Sequence, residues 1–220
     1  MMAEDSAGVA LTEPQRAAVA KLACALEAPG AVAVLCGPAG VGKTTVLEKL
    51  ADVTACARGV QRFVDVQPQE PASADLPPLV LLDDADDADD GGIGRLVASW
   101  RKHRPDVRLV LAGTGRLLTL VARDTRVEQA VRLRAALRPF TAAESADLVT
   151  MALRGARPQA ASMPPPAEVL QTIHEIAAGI PATVARLAVL ARVLVDADPD
   201  RPLTVDDVEA IHRRLSPQAA

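Results

Sequence analysis

Residues 31–36 (AVAVLC) form a short apolar run, and the chain then reads Gly37-Pro38-Ala39-Gly40-Val41-Gly42-Lys43-Thr44-Thr45. No other stretch constrains the fold as tightly. The run has the length and composition of a buried strand, and Thr45–Val53 (TVLEKLADV) has the spacing of a helix. Between them, residues 37–44 satisfy G-x-x-x-x-G-K-[ST], the pattern of a loop that wraps a phosphate. The glycines let successive N–H groups turn inward, and the helix beginning at Lys43 adds the positive end of its dipole. Lys43 is placed to reach the β and γ phosphates of a nucleotide, and the Thr44 hydroxyl to ligate Mg²⁺. Gly37 through Thr45 are therefore the candidate ATP-binding residues.

A second apolar run, LVLLDD (79–84), ends in two acids. A carboxylate at the C-terminal end of a buried strand beside a phosphate loop is where a Mg²⁺ shell needs an oxygen, which makes Asp83 a candidate metal ligand with Thr44. Asp84 follows at the place of a water-activating carboxylate, with a side chain one methylene shorter than glutamate. The acids at Asp86, Asp87, Asp89 and Asp90 read as a solvated loop ahead of a helix N-terminus, where negative charge is favoured.

The rest of the first 140 residues alternates strand and helix. Residues 11–28 read as a helix capped by Thr12 with Gln15 as partner, burying Val19, Leu22 and Leu26. Strands are expected at 60–66, 79–84, 107–113 and 131–137, and helices around Ile93–Trp100 and over 116–129. The proline-rich stretch 67–78 reads as a loop. After Phe140 only helices follow: TAAE (141–144) opens one to about Arg154, another begins near Pro166, Gly-Ile-Pro (179–181) breaks it, and Thr204 caps the last. The expected architecture is an α/β phosphate-loop domain with a five-stranded, mostly parallel sheet over 11–139, a small all-α lid over 140–215, and short tails at 1–10 and 216–220.

Composition removes several partners. Two Phe, one Trp and no Tyr leave no stacking platform for single-stranded nucleic acid or sugars. A net charge of −4 disfavours a coat-like basic nucleic-acid binder. Cys24, Cys36 and Cys56 form no C-x-x-C pair and read as reduced, mostly buried thiols of a cytoplasmic protein. The acidic start MMAEDSAG lacks the pattern of a signal peptide, and Val184–Val195, with Arg186 and Arg192, is too short and charged to span a bilayer. Charge is uneven along the chain: residues 65–90 hold nine acids and no Lys or Arg, and residues 95–138 hold eleven Lys or Arg against three acids. A solvated surface, a subunit contact and a DNA-facing surface are all open readings.

There is no N-K-x-D base-reading motif and no LSGGQ-like signature, which disfavours GTPases and ABC ATPases. The segments CGPAGVGKTT, LVLLDDAD, VRLVLAGTGRL, LRPFTAAESADLV and GIPATVARLA resemble the AAA+ ATPase module of the general secretion pathway protein A type and, more loosely, transposition helper ATPases. The resemblance implies a five-stranded parallel sheet, ATP and Mg²⁺, and oligomerisation. It places Thr114 at a sensor position, holding either the γ-phosphate or the attacking water. The chain departs from the family in four places. Asp83-Asp84 stands for Asp-Glu. Ala182 replaces the arginine of Gly-Ile-Pro-Arg, and Arg186, one turn later, is the candidate substitute. Gln129-Ala130 replaces Gln-Arg, leaving Arg126 or Arg132 as candidate fingers acting in trans. Loop 67–78 replaces a longer, partly helical segment.

The expected function is a Mg²⁺-dependent ATPase in which Lys43, Asp84 and Thr114 carry the chemistry and turnover moves the lid or a partner. The alternatives are a slow or non-hydrolysing regulatory module and a DNA-transaction helper.

Overall fold

The computed structural model describes residues 11–55, 59–66, 78–154, 165–198 and 201–215. The expected loop over 67–78 falls almost wholly outside them, as does Cys56. The chain divides into two compact units: one running to Leu137, and one from Arg138 onward together with Ala39–Val41.

The first unit is α/β. Helix α1 (Glu13–Ala25) precedes strand β1 (Val32–Cys36), followed by α2 (Lys43–Thr54), β2 (Val60–Arg62), β3 (Leu79–Asp83), α3 (Gly92–His103), β4 (Arg108–Gly113), α4 (Gly115–Arg123), α5 (Thr125–Ala130) and β5 (Val131–Ala136). The strands form one parallel sheet in the order β2-β3-β4-β1-β5. Every residue of β1 and β3 is buried, as expected of strands covered on both faces by helices. Strand β4 lies between β1 and β3, pairing Cys36 with Gly113 and Leu82 with Leu111. Parallel pairing brings the C-terminal ends of β1, β3 and β4 to one edge of the sheet, the edge at which such folds bind ligands.

Helix α3 shows how the core is made without many aromatics. Ile93, Leu96, Val97 and Trp100, at helical spacing, all enter the main core beside Val80, Leu82, Leu109 and Leu111. The face expected on α1 is equally buried through Val19, Leu22 and Leu26. Thr12 N–H donates to Gln15 Oε1 at 3.0 Å, the reverse half of a capping box.

Three local expectations need correction. The strand expected over 60–66 stops at Arg62 and continues as a 3-10 turn over Phe63–Asp65. The helix expected over 116–129 is two helices, because Asp124 breaks it: its carboxylate accepts the N–H groups of Arg126 (3.0 Å) and Val127 (3.3 Å) and starts α5. Cys24 is exposed, whereas Cys36 is buried with its thiol against Ala135 O.

The second unit is helical: α6 (Ala142–Arg154), α7 (Ala167–Ala177), α8 (Pro181–Ala197) and α9 (Val205–Leu215). Its core gathers Val149, Val169, Ile173, Val184, Leu187 and Val208. Two reciprocal caps set its helix starts. Thr141 N–H donates to Glu144 Oε2 (2.7 Å) while Glu144 N–H donates to Thr141 Oγ1 (3.3 Å), and Thr204 and Asp207 repeat the arrangement at α9. Among the described residues no helix is long and apolar enough to cross a membrane.

Candidate nucleotide-binding site

The loop leaving β1 turns through two glycines with positive φ, Gly40 (+76°) and Gly42 (+95°), before α2 begins at Lys43. Gly42 is required on two counts. Its backbone conformation is one that L side chains rarely adopt, and a Cβ there would run into the Gln15 side-chain amide. Val41 is buried. Thr45 is half-buried in the first turn of α2, and Lys43 is buried, its Nζ donating to the carbonyls of Gly37 and Pro38 at 3.0 Å each. These bonds hold the ammonium group within the loop whose N–H groups a phosphate would face.

Asp83, the last residue of β3, is buried and reaches α2: the Thr44 hydroxyl donates to Asp83 Oδ2 at 2.5 Å. This joins residues from two elements separated in sequence by β2. Both atoms are hard oxygens, suited to Mg²⁺, which characteristically takes one or two protein oxygens and completes its shell with water and phosphate oxygens. Among the described residues no cluster of three or more His, Cys, Asp or Glu side chains could hold a metal on protein ligands alone. The two oxygens fit a Mg²⁺ that would take its remaining ligands from water and nucleotide phosphates.

Asp84 turns elsewhere. It has φ +51°, its N–H donates to Asp83 Oδ1 (3.0 Å), and its carboxylate pairs with Arg62 Nε at 3.3 Å at the end of β2. About half of the Asp84 side chain is exposed. Thr114, the residue after β4, caps α4 by accepting the Arg116 N–H and donates its hydroxyl to Asp86 Oδ2 at 2.5 Å.

Asp86 is the residue that sequence reasoning assigned to a solvated loop. It belongs instead to a 3-10 turn, Ala85–Asp87, whose flanking alanines Ala85 and Ala88 are fully buried. Burial pushes the Asp86 carboxyl up, but bonds from the Thr114 hydroxyl and N–H and from its own N–H, with the charge of Lys43, together hold it below the ordinary carboxylate value. Asp89 and Asp90 do behave as surface acids, pairing with Arg95 and Arg123.

The candidate arginines are dispersed. Arg126 and Arg132 are exposed on α5 and β5, and Arg186 is exposed on α8 of the second unit.

No protein-family model matches the sequence, and no curated protein matches it. Solved structures do. The RuvB Holliday junction branch migration motor of Thermotoga maritima aligns with 91% of this chain and 69% of its own at 16% identity and a TM-score of 0.61. The FIGL-1 AAA domain, solved with ADP, aligns with 100% and 87% at 18% identity and a TM-score of 0.62. The ORC2 protein of Aeropyrum pernix, solved with ADPNP and ADP, aligns with 96% and 70% at 16% identity and a TM-score of 0.59. At these identities the likeness is one of fold: this chain has an α/β phosphate-loop fold with a helical C-terminal part, the fold it shares with these three proteins, the FIGL-1 AAA domain among them.

Proposed function

We propose that the protein binds ATP with Mg²⁺ and hydrolyses it to ADP and phosphate, using turnover to change the state of its helical unit or of a partner. The observation that carries this reading is the meeting of Asp83 with Thr44, the residue that follows Lys43 at the end of the phosphate loop. Lys43 and the loop N–H groups bind the phosphates, and Thr44 and Asp83 are the protein ligands of the metal. Mg²⁺, when bound, supplies neutralisation of charge on the β and γ oxygens. Thr114, the residue after β4, would be the candidate for the reacting end of the nucleotide, and Arg186 remains a candidate phosphate contact. The general secretion pathway and transposition likenesses belong to this proposal, as do assembly into oligomers and a cytoplasmic location.

A second reading has its own support. Asp84 is the shorter acid and is held by Arg62, so a slow, nucleotide-sensing module is the alternative to a fast motor. A DNA-facing role gains less, because Arg95 and Arg123 are matched by Asp89 and Asp90.

Equilibrium ATP binding and steady-state turnover, with and without Mg²⁺ and duplex DNA, separate these readings. Lys43→Ala is expected to abolish ATP binding, and unchanged affinity would end the nucleotide reading. Turnover at the uncatalysed rate in wild type and in Asp84→Glu would leave the sensing module, and stimulation by DNA would favour the helper role.

A further inference from the structure

We infer that Asp86 is a positioning residue that makes Thr114 an acceptor for the attacking water rather than a donor to the γ-phosphate. The inference rests on the ATPase reading above and decides between the two roles open to Thr114.

Three features put Asp86 there. The positive φ of Asp84 reverses the chain as β3 ends, and Asp87 N–H closes the turn on Asp84 O at 3.0 Å. Ala85 and Ala88 anchor the turn in the core. Gly113, the last residue of β4, leaves the space that the carboxylate enters: a Cβ there would overlap Asp86 Oδ1. The turn, the anchors and the missing side chain converge on one bond, Thr114 Oγ1 to Asp86 Oδ2 at 2.5 Å.

That bond fixes the chemistry of Thr114. A hydroxyl carries one hydrogen and two lone pairs. The hydrogen goes to Asp86, which as a carboxylate only accepts, and one lone pair receives the Arg116 N–H at 3.4 Å. One lone pair remains. A phosphate oxygen offers no hydrogen to it, whereas a water does. Thr114 can therefore take one O–H of the water and leave the water's own lone pair for phosphorus. Gly37, the first residue of the phosphate loop, donates its N–H to Gly113 O at 3.2 Å, and Gly113 directly precedes Thr114, so the pair starts beside the loop. Asp86 itself receives no proton in this arrangement: as the water oxygen bonds to Pγ, the bond from Pγ to the ADP oxygen breaks, and the water's protons leave on the inorganic phosphate and to solvent.

The test compares Asp86→Ala, Asp86→Asn, Thr114→Val and the double variant Asp86→Ala/Thr114→Val in the full chain. Loss of a group that orients a reactant costs about 10²-fold in rate. Asp86→Ala and Thr114→Val are each expected to lower kcat by about that factor with ATP affinity unchanged, and the double variant to be no slower than either. Asp86→Asn, whose side-chain oxygen still accepts the Thr114 proton, is expected to retain most of the activity. A readout that needs no turnover is the ¹³C NMR titration of the Asp86 carboxyl, whose midpoint should rise in Thr114→Val. Wild-type kcat in Asp86→Ala, an Asn variant as slow as the Ala variant, additive losses in the double variant, or an unmoved NMR midpoint would each overturn the inference. A wild type without turnover would instead overturn the ATPase reading, and the water-holding role with it; the NMR arm still decides whether the pair exists.

Discussion

Replacing Gly42 by alanine probes the join between the phosphate loop and the first helix. The added Cβ meets two obstacles. The first is backbone: φ of +95° is foreign to an L side chain, at a cost of about 1–2 kcal/mol. The second is the Gln15 side-chain amide, which occupies the position the Cβ would take. Gln15 is buried, and its Oε1 accepts the Thr12 N–H at 3.0 Å, so moving it gives up a hydrogen bond worth about 1 kcal/mol. Together these predict a loss of about 2–3 kcal/mol, or roughly 5–10 °C in the melting temperature of a domain of this size. Calorimetry of wild type, Gly42→Ala, Gly115→Ala and Gly42→Ala/Gln15→Ala measures it. Gly115 is the control: its Cβ would meet nothing within 4 Å, so its variant should melt at or slightly above wild type. The double variant should melt no lower than Gly42→Ala, because the collision and the displaced amide are the same event. If Gly42→Ala melts like Gly115→Ala, or if Gln15→Ala adds its full penalty, the account of this join is wrong.

The helix starts yield two further predictions. Glu144 is partly desolvated, which raises its carboxyl, yet the bonds from Thr141 and Arg138 hold it below the ordinary glutamate value. The stabilisation from its ionised form is present above the unfolded-state value and is lost as pH falls through the lower folded value. Glu144→Gln is accordingly expected to cost about 1 kcal/mol at pH 7 and progressively less in acid, read from urea melts across pH. Asp124→Ala should remove the cap of α5 at a cost of about 1 kcal/mol, whereas Asp124→Asn should keep most of it; equal losses in thermal melts would show that the cap contributes little.

Much of the fold was legible because its signals are local. An apolar run followed by a glycine-rich loop and a lysine at a helix start can be read in 15 residues. The alternation of strand and helix up to Phe140 and the Thr-x-x-acid boxes at Thr141 and Thr204 are local in the same sense. What was not legible turned on competition or distance. Asp124 could continue a helix or cap a new one, and its two backbone acceptor contacts favoured the cap. The apolar residues after Val60 could extend a strand, but pairing with β3 ends at Arg62 opposite Asp83.

The site divides along the same line. Lys43 and Thr44 follow from spacing alone, because the geometry of the loop is built from consecutive residues. That Asp83 meets Thr44 required β3 to end at the right edge of the sheet, and the strand order that puts it there is written nowhere in the local pattern. Asp84 and Asp86 are two residues apart in a run of similar acids, and the sequence favoured Asp84 for its place next to the strand. The tertiary structure sends Asp84 to Arg62 and Asp86 to Thr114, because a positive-φ residue reverses the chain and a glycine at the end of the neighbouring strand leaves the space that the Asp86 carboxylate enters. Local sequence settles which groups are available. The packing of β4 between β1 and β3 decides which of them meet, since those contacts join residues 28 and 39 positions apart.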